Sequence, residues 1–425
     1  MRRSAFIVVA VAALTFFAGL GRSAISDSDE AFYAEAAREM LETGDFLTPR
    51  YNYENRFQKP VFFYWCVAAA YAVGGVGETT ARAPAALAGV GCALLAWFMG
   101  RRWFGHDTGL LAGLIISTCL GCAAIARLSL PDLPLAFFIT ASIVAGFVAL
   151  SDRGRPGLGP LLLAAAAAGL GFLTKGPIGI ALPALVLVPI IALERRWAIR
   201  PLHLTLVLAV FIAIALPWYT AMTAEHGTAY LHSFFVTDNL ERFATSRFNY
   251  PRPAWFYLPI ILSGLLPWSA FMPLWIPDTF RSLRRRTAPS RNTFRLLVWA
   301  VLPLTLFTIS VGKQPRYILP ILPPLAILLA VSIRSRLDRQ GEPAQRTSRS
   351  LQSCAIVAGA VLSTAGVVLF VLPAASLGLD LAVVPVAAAA VLAAGLAVIV
   401  TALVQLSRVP IIATVGSIVL VLALQ

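Results

Sequence analysis

The lysines of this chain number only three, and each stands beside a proline: Lys59-Pro60, Lys175-Gly176-Pro177 and Lys313-Gln314-Pro315-Arg316-Tyr317. Two carboxylates have equally particular settings, Asp29 within Ser26-Asp27-Ser28-Asp29-Glu30 and Asp132 closing Arg127-Leu128-Ser129-Leu130-Pro131-Asp132. An ammonium or guanidinium can stabilise a departing phosphate. A carboxylate within hydrogen-bond reach can take the proton of an attacking hydroxyl. Taken singly, each residue also has a plainer role. Asp27 and Glu30 have the spacing of a capping box, Asp132 can cap a helix after Pro131, and Lys59 and Lys175 can reach along an interface to water. Taken jointly, two acids and several cations in one cavity suit an anionic, lipid-linked substrate.

The elements that must position them are membrane spans. The 425 residues are 59% apolar and 13% charged, against roughly a quarter charged in soluble domains. A soluble globule and a disordered chain are both excluded. A spanning helix needs about 20 apolar residues, and the sequence predicts an all-α polytopic membrane protein with about 13 transmembrane helices, the first over 5–20 and the last over 409–425. Residues 61–77 are apolar but ambiguous. The five cysteines fall in or beside apolar runs, and Cys119-x-x-Cys122 is expected to pack within a span with no redox or metal role.

The net charge of +14 reports orientation. If 61–77 lies along the surface, 21 arginines and six acids fall in the inside loops, a net +15, and the other side holds −1. If 61–77 crossed, every later arginine-rich loop would face outward, against the positive-inside rule. The basic residues therefore point to orientation and anionic lipid, and nucleic acid is not a predicted partner.

This parity collects nearly all the chemistry on the outer side, in loops 21–83 and 223–255 and in three short turns that carry Asp132, Lys175 and Lys313. The first loop predicts an amphipathic helix. Phe32, Ala36 and Met40, beside Tyr33, Ala37 and Leu41, make its apolar face, while Glu35, Arg38, Glu39 and Glu42 take the other and Gly44 ends it. The second loop carries Tyr230, His232, Phe234, Phe235, Asp238, Asn239, Glu241, Arg242, Phe243, Arg247, Tyr250, Arg252, Trp255 and Tyr257, which fit either an aromatic interface belt or a lid over a sugar. His226 and His232 lack the companions of a zinc site, so no metal ligands are assigned and metal dependence stays open.

Asp29-Glu30-Ala31-Phe32-Tyr33, Arg38-Glu39-Met40, Phe57-Gln58-Lys59-Pro60 and Tyr64-Trp65 resemble the first outer loop of GT-C glycosyltransferases, chiefly the aminoarabinose transferases acting on lipid A and, more distantly, the protein O-mannosyltransferases. Leu173-Thr174-Lys175-Gly176-Pro177, Asn239-Leu240-Glu241-Arg242-Phe243, Pro267-Trp268 and Tyr317-Ile318-Leu319-Pro320 extend the likeness to about residue 335. The resemblance implies an inverting transferase that takes its sugar from a polyprenyl phosphate and passes it to a lipid or other envelope acceptor, without a cofactor. The site it implies has Asp29 and Asp132 as catalytic acids and Lys59 and Lys175 as cations around the lipid phosphate. Glu30, Tyr33, Gln58, Arg242, Lys313 and Tyr317 complete the candidate donor and substrate contacts.

Gln58 stands where that pattern usually has Glu, and Phe32 where the lipid A enzymes often carry Arg. Residues 1–335 are expected to form the catalytic membrane region and 336–425 further spans with no soluble C-terminal domain, which leaves acceptor binding to loops and spans. The lack of an N-x-S/T sequon and the compact loops favour a bacterial inner membrane with the site on the periplasmic side. A secondary transporter or lipid flippase is the rival reading, but such proteins carry mid-span charge and repeated halves, which are not evident here. A non-catalytic envelope scaffold is the third.

Overall fold

The computed structural model describes residues 2–25, 28–150, 157–194, 200–245, 251–284, 288–338, 349–371, 384–404 and 416. Backbone groups in lipid must find partners within their own segment, which makes helices of apolar runs. Helices α1 (Arg2–Phe17), α2 (Ser28–Thr43) and α3 (Phe62–Gly74) are followed by α4 (Glu78–Phe104), α5 (His106–Thr118), α6 (Leu120–Ala126), α7 (Asp132–Ala149), α8 (Leu158–Lys175), α9 (Ile178–Leu193) and α10 (Pro201–Leu231). The short α11 (Arg242–Ala244) leads to α12 (Tyr257–Gly264), α13 (Met272–Arg284), α14 (Ala288–Ile309), α15 (Leu322–Asp338), α16 (Arg349–Val371) and α17 (Val384–Leu403). A hairpin of β1 (Arg50–Tyr51) and β2 (Glu54–Asn55) supplies the strands, with Asn52 and Tyr53 both at positive φ in its turn.

Eight of these helices are long and apolar enough to cross a membrane, or up to ten if each of two bent pairs is one span. The expected 13 is not reached among the described residues. The first run and 177–193 form helices of 16 residues each, shorter than the roughly 20 a bilayer requires. The run 409–425 lies, apart from residue 416, outside the described residues.

The link that orders the bundle is a buried ion pair. Arg82 in α4 and Glu30 in α2 each have side chains only 2% exposed. Arg82 Nε donates to Glu30 Oε1 at 2.7 Å and Nη2 to Oε2 at 3.0 Å. Its remaining N–H groups donate to the carbonyls of Leu20, Ser23 and Ala24 at 2.9, 2.7 and 3.3 Å. Glu30 Oε1 also accepts the Ser129 N–H at 2.8 Å, and Ser129 Oγ donates to Ala81 O. The end of α1 and the start of α4 therefore lie at the same end of the bundle, with α2, the hairpin and α3 between them in sequence. The capping box is corrected here. Asp27 lies outside the described residues, and both oxygens of Glu30 are committed to Arg82 and Ser129.

Helix α2 buries Tyr33, Ala36, Ala37 and Met40 against Phe63, Tyr64 and Val67 of α3, while Arg38 pairs with Glu35 and Glu42 on its outer edge. Glu39 departs from the expected polar face. It is buried because its carboxylate accepts the Tyr53 N–H of the hairpin turn at 3.1 Å. The loop around the hairpin is pinned by two indoles, Trp65 Nε1 to Phe46 O at 2.8 Å and Trp218 Nε1 to Leu47 O at 2.9 Å.

Residues 223–255, expected as a loop, are largely helical. α10 runs through them with a break at Gly227 (φ 66°), and His232–Glu241 continue as wide turns. Tyr230 and Phe234 are fully buried beside Trp218 and Tyr219, so these rings are core packing. Arg247 and Tyr250 lie outside the described residues. At the opposite end of the bundle Arg295 holds Glu194 at 2.7 Å and 2.5 Å with Trp103 and Phe147 beside it, and Arg336 pairs with Asp278.

Removing one partner of a buried, fully bonded pair leaves an uncompensated charge. Arg82→Met is expected to cost about 3–5 kcal/mol, and Arg38→Met, at a half-exposed surface pair, less than about 1 kcal/mol. Thermal unfolding of the detergent-solubilised protein, followed by loss of the monodisperse chromatographic peak, checks the difference. Equal shifts for the two variants would show that the Arg82 pair does not anchor the bundle.

Candidate active site

Proline and glycine set the two helix ends that frame the site. Pro131 lacks an N–H and precedes α7, so Asp132 opens that helix. α8 closes at Lys175 because Gly176 turns the chain at φ 87° with its N–H on Phe172 O at 2.8 Å. A Cβ at Gly176 would lie 2.6 Å from the Phe234 ring, so glycine is required by both angle and space. Pro177 then starts α9. A short 3-10 helix, Pro315–Ile321, presents Arg316 and Tyr317 from the other side.

These ends meet in an ion network. Lys175 Nζ lies 2.5 Å from Asp132 Oδ1 and 5.0 Å from the Tyr317 ring centroid. Arg316 Nη2 lies 2.5 Å from Asp29 Oδ2, and its Nε 3.5 Å from Asp132 Oδ2. Arg316 thus stands between the two aspartates and offsets their mutual repulsion, which two carboxylates at this spacing would otherwise feel strongly in a site shielded from water. Asp132 is 5% exposed and Asp29 44% exposed on their side chains. The buried acid is the fixed one, and the accessible acid can meet a substrate.

The network lines a cavity of about 510 Å³. Its floor is apolar, with Leu130, Leu135, Ile178, Leu182, Phe307 and Pro320, and its other wall carries Phe32, Arg56, Gln58, Lys59, Ser233, Thr237, Asp238 and Asn239. Lys59 Nζ donates to Gln58 O at 2.7 Å, and the Arg56 guanidinium lies 3.9 Å over the Phe32 ring. Tyr33 also lines it. Burial, then the neighbouring Tyr64, pushes its phenol well above the usual tyrosine range, so it acts as a neutral hydroxyl. The arrangement offers a chain-shaped apolar floor, cations for an anion, and an accessible carboxylate that can receive a proton.

The cavity brings together Asp29, Tyr33, Gln58, Lys59, Asp132, Lys175 and Tyr317. Glu30 and Lys313 are not in its lining. Glu30 lies beneath it in the Arg82 pair, and Lys313 is buried with Nζ donating to Ser310 O at 2.5 Å. The structure thus places both side chains within the protein, apart from the other candidates. Arg242 opens α11, and its side chain lies outside the described residues. Arg316 and Arg56 were not singled out from the sequence. Arg316 shares its motif with Lys313 and Tyr317, and no periodicity distinguishes which cation of a 3-10 turn faces inward. Among the described residues no group of three or more His, Cys, Asp or Glu side chains could hold a metal ion. His226 shares a hydrogen bond of 2.8 Å with Thr48 Oγ1.

The sequence and the fold are shared with known proteins. The solved structure of ArnT from Cupriavidus metallidurans bound to undecaprenyl phosphate superposes with a TM-score of 0.79 at 27% identity, over 99% of this chain and 76% of that one. An Archaeoglobus fulgidus oligosaccharyltransferase shares the fold, with a TM-score of 0.51 at 13% identity over 98% of this chain and 55% of its own. Among curated sequences, the undecaprenyl phosphate-alpha-4-amino-4-deoxy-L-arabinose arabinosyl transferase of Edwardsiella ictaluri is 36% identical over 318 residues, 74% of this chain and 56% of that protein. That of Aeromonas salmonicida is 35% identical over 325 residues, covering 75% and 58%. The chain spans a little over half the length of these relatives. A family model described as dolichyl-phosphate-mannose-protein mannosyltransferase matches residues 6–232, more than half of the chain, and by that match the chain belongs to the dolichyl-phosphate-mannose-protein mannosyltransferase family.

Proposed function

We propose that the protein is a GT-C type membrane glycosyltransferase that moves a sugar from a polyprenyl phosphate to a lipid or other envelope acceptor. The observation that carries this reading is the cavity in which an accessible Asp29 and a buried Asp132 are joined by Arg316, with Lys175 alongside and an apolar floor below. The curated relatives are named for transfer from an undecaprenyl phosphate sugar, and a lipid A-like acceptor is the one their likeness suggests.

In the proposed reaction the polyprenyl chain runs along Leu135, Ile178 and Leu182 while its phosphate faces Lys59, Lys175 and Arg316. The acceptor hydroxyl attacks the anomeric carbon from the opposite side. The new carbon–oxygen bond forms as the bond from that carbon to the phosphate oxygen breaks, and its electron pair leaves with the polyprenyl phosphate. Asp29 takes the hydroxyl proton. One displacement inverts the configuration. Asp132 is the positioning acid, holding Lys175 and Arg316 so that both cations point into the cavity before the donor arrives.

The proposal includes orientation. With a first span at α1, thirteen spans in all, the amphipathic α2 on the outer surface and the arginine-rich loops inside, the cavity opens on the periplasmic face of a bacterial inner membrane. In a Cys66→Ala background, a cysteine at Glu54 is expected to react with an impermeant maleimide in intact spheroplasts and one at Arg102 only after permeabilisation. The reverse pattern would invert the assignment.

Asp29→Asn keeps the side-chain shape but cannot accept the proton, so transfer from a defined undecaprenyl phosphate sugar should fall about 10²–10⁴-fold with an unchanged thermal midpoint. Wild-type transfer by this variant would sink the reading. Arg316→Lys keeps the charge and loses the planar fork that reaches both aspartates. Its kcat is expected to fall about 10²-fold, the scale of losing one preorganised donor, and steady-state kinetics in detergent would measure it.

A further inference from the structure

Arg56 is a cation of the cavity that the transfer chemistry above leaves without a task. It follows β2, its backbone N–H fixed to Pro49 O at 2.8 Å, and its guanidinium is laid flat on Phe32 at 3.9 Å. Phe32 is itself held edge-on by Tyr51 at 4.7 Å. Arg56 Nε is buried and makes no hydrogen bond within the protein. A buried donor without a partner costs about 1–3 kcal/mol, so an acceptor on a bound group would offset that cost here.

Position says which group. Phe32 is three residues beyond Asp29 on α2 and shares a helical edge with it, about one turn, or 5 Å, along the axis. Asp29, Tyr33, Arg56 and Asp132 all line this one cavity. With the anomeric carbon between Asp29 and the phosphate cations, the remainder of the sugar ring extends towards Phe32 and Arg56. On that wall Gln58, Ser233, Thr237 and Asn239 are neutral, Lys59 is a second cation and Asp238 a carboxylate. The carboxylates are spoken for: Asp29 and Asp132 hold Arg316 and Lys175, and Asp238 has an interaction of its own. A guanidinium has donors and no acceptor. An oxygen of the sugar, hydroxyl or carboxylate, would complete it, whereas an ammonium would meet a like charge.

We propose that Arg56, seated on Phe32, is a specificity-determining residue that contacts the transferred sugar and selects one without a positive charge, in contrast to the 4-amino sugar in the relatives' names. This deepens the transfer reading and rests on it.

The test is equilibrium binding to the purified full-length chain in detergent, with three probes: undecaprenyl phosphate carrying arabinose, its 4-amino-4-deoxy analogue, or a hexuronic acid. Wild type is expected to bind the arabinose or uronic acid donor at least about 10-fold more tightly than the amino donor. A hydroxyl-reading site favours the first, and a carboxylate-reading site the last. Arg56→Met should remove the discrimination, Arg56→Lys should keep most of it, and Gln58→Glu, which leaves Arg56 in place, should shift the ratio towards the amino donor. Gln58→Glu keeps the proposal testable if Arg56→Met does not fold. Tighter binding of the amino donor by wild type, or a ratio unchanged within about twofold in Arg56→Met or in Gln58→Glu, overturns the role of Arg56 and leaves the transfer reading standing. Failure of all three donors and of undecaprenyl phosphate itself to bind overturns both.

Discussion

The pair of Arg82 and Glu30 is the constraint on which the site depends. A guanidinium with a side chain 2% exposed would be prohibitively costly unless each of its five N–H groups had a partner. Here two go to one carboxylate and the others to carbonyls at the end of α1. Satisfying them fixes three separate stretches of chain at once. Glu30 adjoins Asp29, and Ser129, bonded to the same carboxylate, is three residues before Asp132. The two acids that reach the cavity are thus carried on either side of one buried ion pair, and their separation is set below the cavity floor.

Above that floor the charges are arranged as a chain, from Lys175 to Asp132 to Arg316 to Asp29. Each interior member has an opposite charge on either side, so the group is held together without a ligand and its cations are already oriented. In the proposed reaction such preorganisation would let the lipid phosphate be received with little rearrangement. It also separates two roles that like residues could not otherwise divide. Asp132 is buried at a helix start and keeps its neighbours in place, while Asp29 remains accessible at the end of the chain of charges, where a hydroxyl can approach.

Much of this was legible in the sequence because it depends on local rules. Pro131 before Asp132 announces a helix start, and Asp132 opens α7, although as its first residue and without the capping bond expected of it. The arginine count over the loops predicts that the first run and the start of the 84–100 run share one side, and Arg82 is bonded to Leu20 and Ser23. What the sequence hid is pairing across distance. Glu30 and Glu39 look like surface acids of an amphipathic helix, and only tertiary partners, Arg82 for one and the Tyr53 turn for the other, draw them inward. Residues 223–255 contain enough polar side chains to resemble a loop, yet Tyr230 and Phe234 supply enough apolar surface to fold it as helix against Trp218 and Tyr219.

The distribution of arginines carries a last distinction. An arginine in an inside loop needs only to stay in water or at lipid headgroups, and many in one place serve that end equally well. The few at the cavity end, among them Arg56, Arg82 and Arg316, are held by geometry instead: one by a carboxylate and three carbonyls, one between two acids, one on an aromatic ring. Lysine could replace many of the first group with little change. It could not stand in for Arg82 or Arg316, because a single ammonium has no fork that spans two partners, and at position 56 it would keep the charge but lose the flat face that lies on Phe32. The paucity of lysine in this chain is therefore felt at opposite ends for different reasons, and of its three lysines 59 and 175 line the cavity, Lys175 held by Asp132, while Lys313 is buried on Ser310.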